Sequence, residues 1–123
     1  ADLAHTDCMR AVEVGTRLVE KYPRCTAFQY WVGVAHRADG ENLISAGNTF
    51  DAMASYDQAM LRFREVLRVE PEWGHHVLRD LRGTSAARER ILAISGRSDE
   101  AQVARRQTED YAGMLAKALE NSR

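Results

Sequence analysis

Four histidines, two cysteines and eighteen acidic residues are the groups in this 123-residue chain with which chemistry could begin, and their spacing limits what they can do. His75 and His76 are adjacent, so on a helix they diverge by about 100° and cannot both face one metal ion. His76 and Asp80 share a helical face and offer two ligands, with Glu72 nearby, short of the three or four protein ligands that a zinc site takes. Cys8 and Cys25 stand in no metal-ligand spacing, and free thiols in a reducing, cytoplasmic compartment are the simpler reading. There is no nucleophile elbow, phosphate-cradling glycine loop or His-Glu-x-x-His motif. A non-enzyme without metal or cofactor is therefore expected. Tyr30, Trp31 and Trp73 could stack on a ligand, but Trp31 and Trp73 fall in or beside apolar stripes, where packing is the commoner role. Tyr30 alone falls off the stripe.

Seventeen Lys and Arg against eighteen Asp and Glu leave a formal charge of -1. The basic excess that drives phosphate-backbone binding is missing, so nucleic acid is disfavoured as a partner. No run approaches the eighteen or more apolar residues of a membrane span, and Ala1-Asp2-Leu3-Ala4 has neither the basic nor the apolar region of a secretion signal. The expectation is one domain over residues 1–123, opening inside a helical pattern as an excerpt of a longer protein would.

Any binding residues must be positioned by helices. Apolar residues three and four apart predict five of them, near 2–22, 25–46, 49–69, 72–95 and 98–120. Pro23 and Pro71 stop the first and third; Gly47 and Gly96 stand where helix ends favour a left-handed residue. Asn48 or Thr49 can cap the third helix and Ser98 the fifth. The third carries the cleanest stripe, from Ala52 through Tyr56, Ala59, Met60 and Phe63 to Leu67, and is expected to be the most buried. No strand-type alternation appears, and links of a few residues force antiparallel neighbours.

The punctuation repeats. Gly47-Asn48-Thr49-Phe50-Asp51-Ala52 returns as Gly96-Arg97-Ser98-Asp99-Glu100-Ala101 after forty-nine residues, while Pro23 and Pro71 are forty-eight apart. Two alternating marks per period mean two helices per repeat, in the order B-A-B-A-B, and a period of this size points to an α-solenoid. Gly40, Leu43, Gly47, Ala52, Tyr56 and Ala59 stand at the mutual spacings of the tetratricopeptide consensus, and over nearly its whole length the chain resembles that family. The long repeat is similar to those downstream of the kinase domain in large bacterial, notably planctomycete, serine/threonine kinases, where a stretch like Ala35-His36-Arg37-Ala38-Asp39-Gly40 recurs. The resemblance implies a right-handed superhelical stack of antiparallel hairpins.

In that family one face of the A helices lines the groove that holds partner peptides. Carried over by spacing, it gives Tyr30, Val34, Arg37, Glu41 and Ile44 on the second helix, and His76, Arg79, Gly83, Ala86, Arg90 and Ala93 on the fourth. The face is net basic, which suits an acidic segment or a C-terminal carboxylate. The leading expectation is a protein-interaction module. The alternative is a structural or regulatory segment of a signalling enzyme that dimerises through its terminal helices. Departures from the consensus add an expectation: Asp39 and Arg88, one period apart, occupy a normally apolar interior position. They either pair with each other or both turn to water.

Overall fold

The computed structural model describes residues 2–121. Five helices account for them, with no strand among the described residues: α1 Asp2–Lys21, α2 Thr26–Ser45, α3 Thr49–Val69, α4 Gly74–Ile94 and α5 Ser98–Asn121. Every boundary lies within two residues of its predicted position; a short 3-10 turn, Pro71–Trp73, precedes α4. No described helix is long and apolar enough to cross a membrane.

Both glycine stops close in the same way. Gly47 has φ 79 and Gly96 φ 74, the left-handed region that a side chain resists. At the first, the amide of Gly47 donates to Ile44 and that of Asn48 to Leu43; at the second, Gly96 donates to Ala93 and Arg97 to Leu92. These paired bonds satisfy carbonyls that the helix end would otherwise orphan. Asn48 then caps α3, its side chain accepting from the amide of Asp51 at 3.1 Å and donating to the Asp51 carboxylate at 2.6 Å. Ser98, expected as the cap of α5, is instead its first helical residue. Arg97 precedes it and grips Glu100 with two guanidinium bonds of 2.9 and 2.5 Å.

The extensive helix interfaces join chain neighbours, α1 with α2, α2 with α3, α3 with α4 and α4 with α5. The main core gathers Ala59, Met60, Phe63 and Val66 of α3, Val77, Leu78 and Leu81 of α4, and Leu115 of α5. Phe63 is fully buried, in keeping with its place on the cleanest stripe. Even so α4, with eight buried residues against six on α3, is the more enclosed helix, contrary to expectation. It carries buried residues toward both α3 and α5, and Asp80 on a third side meets α2.

Small residues set how closely α2 approaches α3. A Cβ on Gly40 would lie 2.7 Å from the Tyr56 ring, and one on Gly33 would lie 2.7 Å from Phe63. One period later both members of each pair have changed together: Glu89 and Arg105 replace Gly40 and Tyr56, and Arg82 and Ala112 replace Gly33 and Phe63. Losing the ring removes the need for the glycine. The α4–α5 seam carries hydroxyls instead, Thr108 donating to Ser85 at 2.8 Å and Ser85 to the Ala104 carbonyl at 3.2 Å. Ala52 and Ala101, small residues forty-nine positions apart, are both buried.

Asp39 and Arg88 neither pair nor both turn to water. Asp39 is 1% exposed and accepts from His5 on α1 at 2.7 Å and from Ser55 on α3 at 3.5 Å. Arg88 donates to Asp57 on α3 at 2.6 Å and to Gln107 on α5 at 3.4 Å. Each charge points to the helices flanking its own, where a partner is within reach, rather than along the row toward the other.

Candidate partner-binding faces

The predicted groove residues lie along α2 and α4, and the structure divides them. Tyr30 and Arg37 are half-buried, and their polar ends are paired within the chain. The Tyr30 hydroxyl donates to Asp80 at 2.6 Å, Arg37 bonds the other oxygen of the same carboxylate, and the Tyr30 ring lies 5.6 Å from Phe63 and 6.0 Å from Trp73. Burial and the Asp80 bond push the Tyr30 hydroxyl up to about 12. Val34 is half-buried against the core. Glu41, Ile44, His76, Arg79 and Arg90 are exposed, as are Gly83 and Ala93, while Ala86 is half-buried. Among the predicted residues Arg79 and Arg90 with His76 stand against Glu41, Arg37 is neutralised by Asp80, and Glu72 adds an acidic group at the hollow beside Trp73 and His76.

Two hollows mark the ends of this strip. One, about 470 Å³, lies among Tyr30, Glu72, Trp73, His75 and His76. The other, about 180 Å³, is bounded by Ile44, Tyr56, Ala87, Arg90 and Ile94, the last 85% exposed. Tyr30 meets the start of α4 and Ile44 its end, so α2 and α4 run in the same direction. His76 and Asp80 do not form a two-ligand pair, because the Asp80 carboxylate is held by Tyr30 and Arg37.

His5, Asp39 and Ser55 form a cluster the sequence did not announce, joining three helices. Its order is wrong for making a nucleophile. Imidazole and hydroxyl both address the carboxylate, whereas activating serine requires the imidazole between the two. Cys8 sits beside it, accepting a 3.6 Å bond from Asn42. Burial first, then the Asp39 charge, raises its thiol pKa, which disfavours the reactive thiolate. His36 is shifted the other way, its imidazolium disfavoured by burial and by Arg62. These residues read as interior polar bonding.

A third surface was missed. Between α1 and α2 lies an almost wholly apolar groove of about 540 Å³, lined by Arg10, Ala11, Val14, Leu18, Trp31, Val34 and Ala38. Trp31, expected to pack, is 62% exposed here, and its ring continues through Phe28 to Tyr22 at 6.0 Å steps. The expectations for the two neighbouring aromatics are thus reversed: Tyr30 is packed and Trp31 is open. The available signal was the period, since Trp31 lies one repeat before Asp80 and Val14 one repeat before Phe63.

Compared with known proteins, the chain matches no family model, and no curated protein or solved structure is significantly similar to it.

Proposed function

We propose that this chain is a tetratricopeptide-like segment of an α-solenoid, two and a half helical hairpins stacked in a right-handed sense, and that it serves as a non-catalytic protein-interaction module. What supports the stack is matched bonding one period apart: the glycine stops at Gly47 and Gly96, and the co-directional α2 and α4. What carries the binding role is the α2–α4 strip, where exposed His76 borders a hollow rimmed by aromatic side chains, exposed Arg90 borders one rimmed by aliphatic side chains, and exposed Arg79 stands between them along α4. Such a strip takes an extended acidic segment, its carboxylates on the arginines and an apolar side chain in each hollow.

Fluorescence anisotropy with labelled acidic peptides ending in a free carboxylate tests this reading. Saturable binding is expected to weaken at least tenfold in an Arg79→Ala, Arg90→Ala double variant and to fall with added salt. Binding that ignores both substitutions, or none at all, overturns it.

The second reading, a regulatory segment of a signalling enzyme that associates through its terminal helices, draws support from the apolar groove on α1. It differs in predicting a chain that self-associates through that groove.

A further inference from the structure

The α1–α2 groove has a filled counterpart inside the same molecule. Ala11, Val14 and Trp31 lie one forty-nine-residue period before Met60, Phe63 and Asp80. Met60 and Phe63 are sealed in the core, and Asp80 is held by Tyr30 and Arg37. The element covering Phe63 and Asp80 is α2, with Gly33 against the Phe63 ring and the Tyr30 and Arg37 side chains on the carboxylate. Val14, at Phe63's place, is 56% exposed. The groove therefore stands at the position where, one forty-nine-residue period later, α2 is seated.

Its chemistry differs from the filled seat in a way that selects an occupant. Trp31 replaces Asp80 and Val34 replaces Gly83, so the polar anchor for Tyr30 and Arg37 has become apolar. Arg10 replaces Ala59 and brings a positive charge to the rim. Gly33 meets Phe63 and Gly40 meets Tyr56, so in antiparallel register the turn of α2 at His36 and Arg37 lies across from Ala59 and Met60. A helix seated one repeat earlier would bring the equivalent turn to Arg10 and Ala11.

We propose that the α1–α2 groove docks one amphipathic α-helix of a partner protein, laid along α1 as α2 lies along α3. Its inward face is apolar where α2 carries Tyr30 and Arg37, and it presents a carboxylate to Arg10. This seat rests on the repeat equivalence proposed above but lies on a different face from the α2–α4 strip. The other terminal helix of a second copy does not fit this seat: on α5 the exposed apolar residues Val103 and Met114 share their face with Arg106 and Asp110, which break the stripe. Helix-in-groove recognition needs an unbroken stripe at three- and four-residue spacing.

The probe is a labelled peptide of the sequence Thr26–Ser45 carrying Tyr30→Leu, His36→Glu and Arg37→Leu, titrated with the 123-residue chain and followed by anisotropy. Saturable one-to-one binding is expected, weakened at least tenfold by Val14→Glu or Trp31→Ala in the chain and unchanged by Arg90→Ala. The unaltered Thr26–Ser45 peptide is expected to bind at least tenfold more weakly. Val14 and Trp31 are exposed, so both variants should keep the parent's helical circular dichroism and melting temperature. Lack of saturable binding, or binding indifferent to both substitutions, overturns the proposal. So does a peptide-free dimer, seen by sedimentation, that Trp31→Ala dissociates, because a second copy would then fill the groove. Acidic-peptide binding to the Arg79 and Arg90 strip is measured separately, so either site can fail while the other stands.

Discussion

Asp39 and Arg88 stand forty-nine residues apart and perform one task with opposite charges: each reaches from its own helix to both flanking helices. Asp39 joins α1 and α3 through His5 and Ser55, and Arg88 joins α3 and α5 through Asp57 and Gln107. The two positions carry opposite signs, and their partners differ accordingly. A double-mutant cycle on Asp39→Ala and Arg88→Ala should therefore show coupling within about 0.5 kcal/mol, as for independent sites. The cycle on His5→Ala and Asp39→Ala should show about 1 kcal/mol, since His5 is half exposed. Urea unfolding measures both; a larger value for the first pair would mean the two repeats communicate through these charges after all.

Phe63 is the largest fully buried side chain and meets α2 at Gly33 and Tyr30. Phe63→Ala is expected to cost about 3 to 5 kcal/mol in chemical denaturation. A loss under about 1 kcal/mol would show that the core closes around the gap.

Glycine substitutions should split by sign. Gly40→Ala places a Cβ 2.7 Å from the Tyr56 ring and is expected to destabilise by about 1 to 3 kcal/mol. Gly83 is exposed in the middle of α4 with nothing near its absent Cβ, so Gly83→Ala should stabilise by about 0.5 to 1 kcal/mol. Melting temperatures moving the same way in both variants would contradict this packing.

Alkaline pH should loosen the α2–α4 contact. The Tyr30 hydroxyl ionises near 10 in an unfolded chain but is pushed up to about 12 here, by burial and then by its bond to Asp80. Neutral Tyr30 is thus favoured by folding. Its contribution is fully present below pH 10 and is lost as the pH rises toward 12. Urea midpoints at pH 9 and pH 11 should fall more steeply in the parent than in Tyr30→Phe. Part of the fall will survive in the variant, because the Tyr56 hydroxyl is raised as well, chiefly by burial.

Both cysteines are free, on α1 and at the start of α2, so thiol titration of the unfolded chain without reductant should count two groups. In the folded chain Cys8 should alkylate more slowly than an unstructured thiol, because burial and Asp39 disfavour its thiolate. Asp39→Asn removes the second cause and should speed the reaction, as mass spectrometry of the modified peptide would report. An unchanged rate would leave burial, with the weaker field of Asp7, as the cause.

What the sequence determined by itself is local. Helix boundaries, the left-handed glycines at Gly47 and Gly96 and the cap at Asn48 depend on residues within one or two turns of each other, so type and spacing sufficed. The matching helix stops at Gly47 and Gly96, forty-nine residues apart, followed from the same marks. Partner choice was not legible in that way. Adjacent residues on a helix point about 100° apart, and an apolar stripe states that a face will be covered without saying by which neighbour. Only the placement of α4 beside α2 decided that Tyr30 is packed and held by Asp80, while the absence of an equivalent helix beside α1 among the described residues left Trp31 open. The direction of Asp39 and Arg88 was decided at the same level. A charge drawn wholly or partly out of water goes to whichever complementary group lies within about 3 Å, and for buried Asp39 and half-buried Arg88 that group is on a flanking helix rather than on the matching turn forty-nine residues away.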